Sequence, residues 1–368
     1  MERFISLIGI FVFFGLAYLL SVDRRAIRWR PVIWGFAIQF LFGLFVLLLP
    51  VGFAIFSTIG NLVTTFLNFS DVGAEFVYGE NFAEHFFAFK VMSTVIFFSG
   101  VISLLYYFGI LQKVVAAIAS VMRRTMKTSG PETTSCSANI FIGQTEAPLL
   151  IRPFVGRVTL SAELDEELRA VKAKAEAEGV DELALPKEAF STASDPIAAL
   201  AEGAIQGVQL VLSIIAILIV FLSLIALINA ILGWAGGLFG FPQLSLELIL
   251  SYLLFPLAWV MGVPLADCSA VAVFLGKKII LNEFIAYSAL AESIKANQIS
   301  ARAAAIATFA LCGFANISSI GQQIGAIGGM VPSRRNDVAR LGPRAMIAGS
   351  LTNFVSACIA GLLLGSEL

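Results

Sequence analysis

Five apolar runs of roughly bilayer-crossing length limit the folds that this sequence can adopt. They are residues 4–20, 32–49, 91–111, 207–232 and 345–364. A helix needs about 20 mostly apolar residues to cross the hydrocarbon core of a bilayer. Because 58% of the residues are hydrophobic and the mean hydropathy is +0.91, the chain could not cover a water-facing surface. The sequence therefore predicts an all-α integral membrane protein.

A sixth run, residues 303–331, is also long enough to cross the bilayer, although it is the most polar of the set. Its polar residues include Asn316, Ser319 and two glutamines. We therefore predict about six transmembrane helices. Residues 53–69 mix apolar side chains with serine, threonine and asparagine, and this composition favours a helix that lies in the membrane interface.

Two further apolar regions contain helix breakers and polar groups. Residues 133–155 carry Gly143, Pro148 and Pro153, and residues 248–290 carry two prolines, a lysine pair and the dipeptide Asn282-Glu283. Interrupted backbone at membrane depth is tolerated where it is buried in protein or lines a cavity. We expect two re-entrant helical hairpins, the alternative being a pair of kinked spans.

The distribution of lysine and arginine predicts the orientation of the spans. Clusters of these residues follow the first span and the third span and precede the last. Such clusters mark cytoplasmic loops. With six crossings, both termini are then expected on the outer, periplasmic side.

The order of a span followed by a broken hairpin with a central glutamate occurs twice. Residues 91–111 lead to the hairpin that holds Glu146, and residues 207–232 lead to the hairpin that holds Glu283. By the charge argument the two leading spans run in opposite directions. This arrangement is typical of an inverted repeat, in which transporters bind their substrate at the repeat interface near the bilayer midplane.

The two halves differ in one respect. Two spans follow the second hairpin, whereas residues 161–192 follow the first and contain nine acidic and four basic residues. Such a charged segment cannot cross a membrane and predicts a solvated helical linker. The sequence predicts five parts. Residues 1–111 hold scaffold-type spans and the interfacial helix, 112–160 the first hairpin, and 161–195 the linker. Residues 196–240 form a scaffold-type span, and 241–368 form the transport part, with the second hairpin and the last two spans.

Three motifs resemble the concentrative nucleoside transporter family. They are GQTEAPLLIRPF at 143–154, NEFIAYS at 282–288 and CGFANISSIG at 312–321. The resemblance implies a homotrimer in the bacterial inner membrane, whose moving part takes up nucleosides, uridine-like ones above all, together with sodium or else protons.

The resemblance also implies a role for individual residues. Gln144, Thr145 and Glu146 match positions that face the nucleobase. Glu283, Asn316 and Ser319 match positions that hold the ribose, and Phe314 lies against the site. Asn139 and the carbonyl of Ile142 match part of the sodium site, whose remaining ligands come from a span that has no counterpart here. We therefore expect two transmembrane spans of the family to be absent and sodium dependence to be weaker than in the family.

The residue types suit these roles. An ionisable group inside the membrane is costly unless it is paired, faces water or becomes neutral, so Glu146 and Glu283 need a reason to persist. A carboxylate can accept from both hydroxyls of a ribose, while an amide and a hydroxyl complement the edge of a base. Alternatively, Glu146 neutralises Arg152 or a lysine, and Asn316 and Ser319 hold helices together.

Three functions other than transport fit parts of the sequence. A membrane enzyme could use the two glutamates as an acid/base pair, but the sequence offers no metal-ligand cluster and no nucleophile beside a base. A passive channel would need a continuous polar pore. A shortened family member could fold without transporting. The balance of 24 basic against 25 acidic residues gives no nucleic-acid partner, and no organic cofactor is expected.

Overall fold

The computed structural model describes residues 2–128, 130–140, 144, 147 and 193–365, and these form helices joined by short turns. The N-terminal helices are α1 Glu2–Leu20, α2 Trp29–Leu48, α3 Pro50–Asn68, α4 Ser70–Tyr78, α5 Met92–Tyr107, α6 Ile110–Met126 and α7 Gly130–Ala138. The C-terminal helices are α8 Pro196–Leu238, α9 Leu246–Val260, α10 Cys268–Ile280, α11 Glu283–Lys295, α12 Ala301–Leu311, α13 Ile317–Met330 and α14 Arg335–Leu363. A 3₁₀ turn at Glu80–His85 and a π-helical turn at Phe86–Val91 join α4 to α5.

In the part of the chain that the structure describes, six helices are long and apolar enough to cross a membrane, the number that the sequence predicts. They are Glu2–Leu20, Trp29–Leu48, Pro50–Tyr78, Phe89–Tyr107, Pro196–Ala216 and Pro332–Leu363. The set differs from the predicted one at two places. The segment expected to be interfacial, 53–69, lies in one of these six, and the predicted span 303–331 is not among them.

The predicted span 303–331 is wrong as a single helix because it is broken in the middle. Helix α12 ends at Leu311, and α13 begins at Ile317. Gly313 has φ of +125°, which a residue with a side chain rarely adopts. A Cβ at this position would also lie 2.9 Å from the side chain of Asn353 on α14, so the break is packed closely against that helix.

The second broken region, 248–290, is interrupted at two places. Helix α9 continues through Pro256, which therefore does not interrupt it, and residues 261–267 form the turn to α10. The break between α10 and α11 falls at Leu281 and Asn282. Helices α10 and α11 pack against each other and form the helical hairpin that carries Glu283.

The hydrophobic core lies among α1, α9 to α12 and α14. Phe13 of α1 is fully buried, and its ring lies 5.3 Å from that of Phe354 on α14. Gly9 lets α1 also pack closely against the end of α9, since a Cβ there would lie 2.2 Å from the carbonyl oxygen of Val260. The first span therefore shares its core with the C-terminal region, and the division into scaffold and transport parts stays a prediction.

Arg302 holds the end of this core together. The guanidinium is buried and donates from Nη2 to the carbonyl of Gly361 over 2.6 Å and from Nη1 to that of Leu364 over 3.0 Å. These are carbonyls at the C-terminus of α14, where a cation is favourable. Its Nε also lies 3.2 Å from the carboxylate of Glu2. Arg302 thereby connects the start of α12 with the start of α1 and with the end of α14.

Helices α5 and α8 form a second closely packed pair. A Cβ on Gly203 of α8 would lie 2.5 Å from the Cβ of Ser103, and one on Gly207 would lie 2.8 Å from the Cα of Ile96. Small residues permit this approach, which is typical of helix pairs in membranes. Most of the predicted linker lies outside the described residues. Its last residue, Asp195, accepts from the N–H groups of Ala198 and Ile197 at the start of α8, and the bond from Ala198 above all lowers the pKa of its carboxyl.

Candidate functional site

The first part of the candidate site is the break between α10 and α11. Asn282 is the N-cap of α11, and its Oδ1 accepts from the N–H of Ile285 over 3.0 Å. Glu283 is consequently the first residue of α11. The N-terminus of a helix carries partial positive charge, which stabilises a carboxylate there. The local sequence therefore both breaks the helix and places an acid at the break.

The second part is the break between α12 and α13. Asn316 is only 2% exposed, and its Oδ1 caps α13 by accepting from the N–H of Ser319 over 2.8 Å. The same oxygen accepts from Ser318 Oγ over 2.7 Å. Its Nδ2 donates to Glu283 Oε2 over 3.0 Å. Asn316 therefore starts α13 after the second break and contacts Glu283 at the first break.

Further hydrogen bonds hold the two breaks side by side. Ser318 Oγ also lies 3.3 Å from the carbonyl of Leu281, at the tip of the hairpin, so its single proton is shared between that carbonyl and Asn316 Oδ1. On the other side, the hydroxyl of Tyr287 on α11 donates to the carbonyl of Thr308 on α12 over 2.6 Å. Because unpaired polar groups are costly away from water, these bonds favour one relative position of the two elements.

Gln144, a residue of the predicted first hairpin, lies beside the second break. Its Nε2 donates to Ser319 Oγ over 2.7 Å and to Gln322 Oε1 over 2.8 Å. Gln323 Nε2 donates to the backbone carbonyl of Gln144 over 2.6 Å. With both amide protons in use, the side-chain oxygen of Gln144 is the group that can accept from a ligand.

Gln322 and Gln323 are site residues that the sequence analysis did not single out. They lie three and four residues after Ser319 on α13, so they share its helix face. This spacing is the signal that could have found them. It carries little weight alone, because glutamine in a polar helix has many other uses.

Phe314 lies in the second break and is 41% exposed. Its carbonyl accepts from the N–H of Asn316 over 3.1 Å, which tightens the turn before α13. An exposed aromatic ring beside polar groups could cover a planar ligand. Its predicted contact with a ligand stays a prediction.

The remaining predicted site residues are not brought together by the described structure. Thr145, Glu146 and Ile142 lie outside the described residues. Asn139 is exposed just after α7, and its N–H donates to the carbonyl of Ser135 over 3.0 Å. The partial sodium site and the relation of Glu146 to Glu283 therefore stay predictions.

The arrangement provides a string of polar groups from Gln144 through Ser319 and Asn316 to Glu283. The Glu283 carboxylate accepts from Asn316 and has further lone pairs for other donors. Within the described ranges, no group of three or more His, Cys, Asp or Glu side chains could hold a metal ion. The site can therefore bind a small ligand that has donors for a carboxylate at one end and donors for an amide oxygen at the other.

Paired helix breaks held together among apolar helices define a class: multi-pass helical membrane transporters whose discontinuous helices form the substrate site. The family model "Na+ dependent nucleoside transporter N-terminus" matches residues 8–81 of this chain, and "Na+ dependent nucleoside transporter C-terminus" matches residues 161–361. A third model, "Nucleoside recognition", matches residues 88–201. The chain belongs to the concentrative nucleoside transporter family. The resemblance in its three motifs is thereby confirmed.

Two relatives illustrate the match. The chain is 38% identical to Solute carrier family 28 member 3 of Eptatretus stoutii over 100% of its own length and 61% of the relative's. It is 39% identical to Sodium/nucleoside cotransporter 1 of Mus musculus over 98% of its own length and 64% of the relative's. The chain thus spans less than two thirds of these proteins. The family consists of cotransporters, so the expectation that the chain is not an enzyme is confirmed.

Solved structures with the same fold include those of CNTnw. One in an inward-facing substrate-bound state superposes with a TM-score of 0.86 at 36% identity, covering 99% of this chain and 98% of that one. A CNTnw variant in an outward-facing state superposes with the same TM-score and identity. The all-α membrane fold is therefore confirmed.

The alignment with the Eptatretus stoutii relative bears on the predicted absence of two spans. It extends over 424 residues, whereas this chain has 368. At least 56 aligned positions of the relative, the difference between these lengths, therefore have no counterpart here. Two helices of about 20 residues each with their connections would account for that number.

Proposed function

We propose that this protein takes up nucleosides by ion-coupled symport with alternating access. The observation that carries the proposal is the hydrogen-bonded string from Gln144 to Glu283, which joins three separate segments of the chain at two helix breaks. The membership of the family and the CNTnw structures in outward-facing and inward-facing states support it.

Glu283 is the ribose-binding group in this proposal. Its carboxylate accepts from Asn316 and can accept from two adjacent hydroxyls, which a ribose presents at its 2′ and 3′ positions. Asn316 and Ser319 hold that end of the ligand with Glu283. A site built around buried acceptors discriminates strongly against a ligand that lacks the matching donors, because its own groups are then unpaired.

The other end of the ligand is a nucleobase. Gln144 presents its side-chain oxygen to it, and Thr145 and Glu146 complete this contact. The ring of Phe314 covers the ligand from the second break. A uridine-like nucleoside is the proposed substrate, since its base offers both a donor and acceptors along one edge.

Sodium is the proposed coupling ion, with the proton as the alternative. Similarity to Sodium/nucleoside cotransporter 1 of Mus musculus and of Rattus norvegicus supports sodium. Asn139 and the Ile142 carbonyl would supply two oxygen ligands, and an ion at membrane depth needs about five or six to replace its hydration shell. Because at least 56 aligned positions of the Eptatretus stoutii relative have no counterpart here, we propose a weak dependence on sodium.

The movement that exposes the site to each side is proposed to be of an elevator type, in which the hairpin-bearing part moves against scaffold spans. The protein is proposed to be a homotrimer in a bacterial inner membrane, with both termini periplasmic. Exposed apolar side chains on α3 and α4, such as Leu62 and Phe76, support contact with lipid or with a second copy.

A second candidate function is a shortened family member that binds nucleosides without transporting them. The 56 or more aligned positions of the Eptatretus stoutii relative without a counterpart support it, because a moving part shortened by the two spans predicted to be missing would seal the site less well. The test is uptake of radiolabelled uridine into proteoliposomes, measured beside uridine binding in detergent. Saturable uptake supports symport, binding without uptake supports the second candidate, and the absence of both contradicts the nucleoside site.

A further inference from the structure

Lys278 is a buried cation that the proposed ligand contacts do not use. It lies in the last turn of α10, five residues before Glu283, and it is 0% exposed. Its Nζ donates to the carbonyl of Ala310 over 2.9 Å. Ala310 is the last residue but one of α12, so the ammonium group bonds a carbonyl at the helix end where the second break begins.

A buried ammonium group is costly unless nearby negative charge compensates it. The C-terminal carbonyls of α12 provide part of that compensation, because the end of a helix carries partial negative charge. Glu283 begins α11 on the other side of the hairpin tip, five residues further along the chain, and its carboxylate accepts from Asn316 at the start of α13. Tyr287 of α11 also bonds α12, since its hydroxyl donates to the carbonyl of Thr308.

Lys278 therefore bonds the start of the second break from the helix that leads into the first. Asn316 makes the reverse connection, from the second break to Glu283 of the first. One interaction joins α10 to the end of α12, and the other joins the start of α13 to the start of α11. Together they determine where the carboxylate lies and which charge surrounds it.

We propose that Lys278 is a positioning residue for ligand recognition: it anchors the end of α12 to the hairpin and places a positive charge beside the carboxylate that binds the ligand's vicinal hydroxyls. It acts through Glu283 and does not contact the ligand. This inference rests on the proposed function. It predicts that the loss of Lys278 affects ligands with a vicinal diol and spares ligands without one.

The test compares Lys278→Met, which keeps the length of the side chain and removes its charge, with Lys277→Met next to it as the matched control. Binding of uridine and of 2′,3′-dideoxyuridine is measured by competition in detergent. We expect Lys278→Met to weaken uridine about tenfold or more, the scale of a hydrogen bond to a charged group. Binding of the dideoxy analogue should change less than twofold, and Lys278→Arg should restore most of the uridine affinity.

A double-mutant cycle with Glu283→Gln separates positioning from a general structural role. If Lys278 acts through Glu283, its removal has no further effect on uridine in the Glu283→Gln background. Equal weakening of both ligands, or additive effects in the cycle, would overturn the inference. If Lys278→Met alone does not fold, recovery of a folded double mutant supports the charge pairing, and continued failure overturns it.

These outcomes are distinct from a failure of the proposed function. An unaltered chain that binds no nucleoside would overturn the nucleoside site itself. An unaltered chain that binds uridine, while Lys278→Met weakens both ligands equally, would overturn only the role of Lys278.

Discussion

Asn316 and Glu283 join the two helix breaks through a hydrogen bond of 3.0 Å from Nδ2 to Oε2. The orientation of the Asn316 amide is determined independently, because its Oδ1 accepts from the N–H of Ser319 and from Ser318 Oγ. The amide nitrogen must then face the carboxylate. One buried side chain thus starts α13 and orients the acid at the start of α11.

Glu283→Gln should weaken uridine binding by roughly 10- to 100-fold, the scale of a hydrogen bond to a charged group. The amide replaces an acceptor oxygen with a donor, whereas the diol needs acceptors. Calorimetry in detergent measures the effect. Glu292→Gln, on the exposed side of the same helix, is the control and should bind like the unaltered protein. Unchanged uridine affinity in Glu283→Gln would remove Glu283 from the ribose contact.

Asn316→Asp should abolish most uridine binding and also lower the free energy of unfolding, because a second buried carboxylate beside Glu283 is costly. An aspartate still caps α13, but it cannot donate to Glu283 and places a second carboxylate beside it. Ser300→Ala provides the opposite control, since it removes the cap of α12, where Ser300 Oγ accepts from the N–H of Ala303. It should lower the free energy of unfolding by about 1 kcal/mol and leave binding intact. Binding unaffected by Asn316→Asp would contradict this role.

Gln144→Ala should change the order of preference among nucleosides more than the overall affinity, because Gln144 faces the part of the ligand that varies. Gln322→Ala should act in the same direction and more weakly, since it accepts from the amide of Gln144. Competition by a panel of purine and pyrimidine nucleosides measures both, with the exposed Gln298→Ala as the control. The same rank order in all three variants would argue against a base contact.

Sodium should affect uridine affinity and uptake less than a complete ion site would require. Two oxygen ligands, from Asn139 and Ile142, leave most of the hydration shell unreplaced. The measurement is binding and proteoliposome uptake with sodium replaced by choline. A steep, saturable dependence on sodium would show instead that other groups complete the ion site.

Gly203→Ala should destabilise the protein, although alanine normally stabilises a helix by roughly 0.5–1 kcal/mol relative to glycine. A Cβ at this position would lie 2.5 Å from the Cβ of Ser103, so α5 and α8 must separate. The matched control is Gly237→Ala on the same helix, where nothing lies within 4 Å of the added Cβ. Thermal unfolding in detergent should give a lower Tm for the first variant and an unchanged or higher Tm for the second.

The sequence predicted the first break because its signals are local. Asn282 can cap a helix and Glu283 is favoured in a first turn, so the dipeptide itself predicts the start of a helix. The same reasoning fails for residues 303–331. There, Asn316 is an equally good cap, but the apolar residues on both sides of it continue the pattern of a single span. The end of α12 therefore gives no local signal, and it depends on the close packing of Gly313 against Asn353.

The sequence by itself determined that the chain lies in a bilayer and is helical, because these properties depend on hydropathy and on helix length. The candidate residues Gln144, Asn316 and Glu283 followed from motifs that resemble the family. Only the tertiary structure decided that Gln144, Asn316 and Glu283 lie in one string and that Lys278 bonds the end of α12. These contacts join segments that are more than 30 residues apart along the chain. Such pairings depend on how the helices pack, since periodicity and propensity describe only neighbours along a helix.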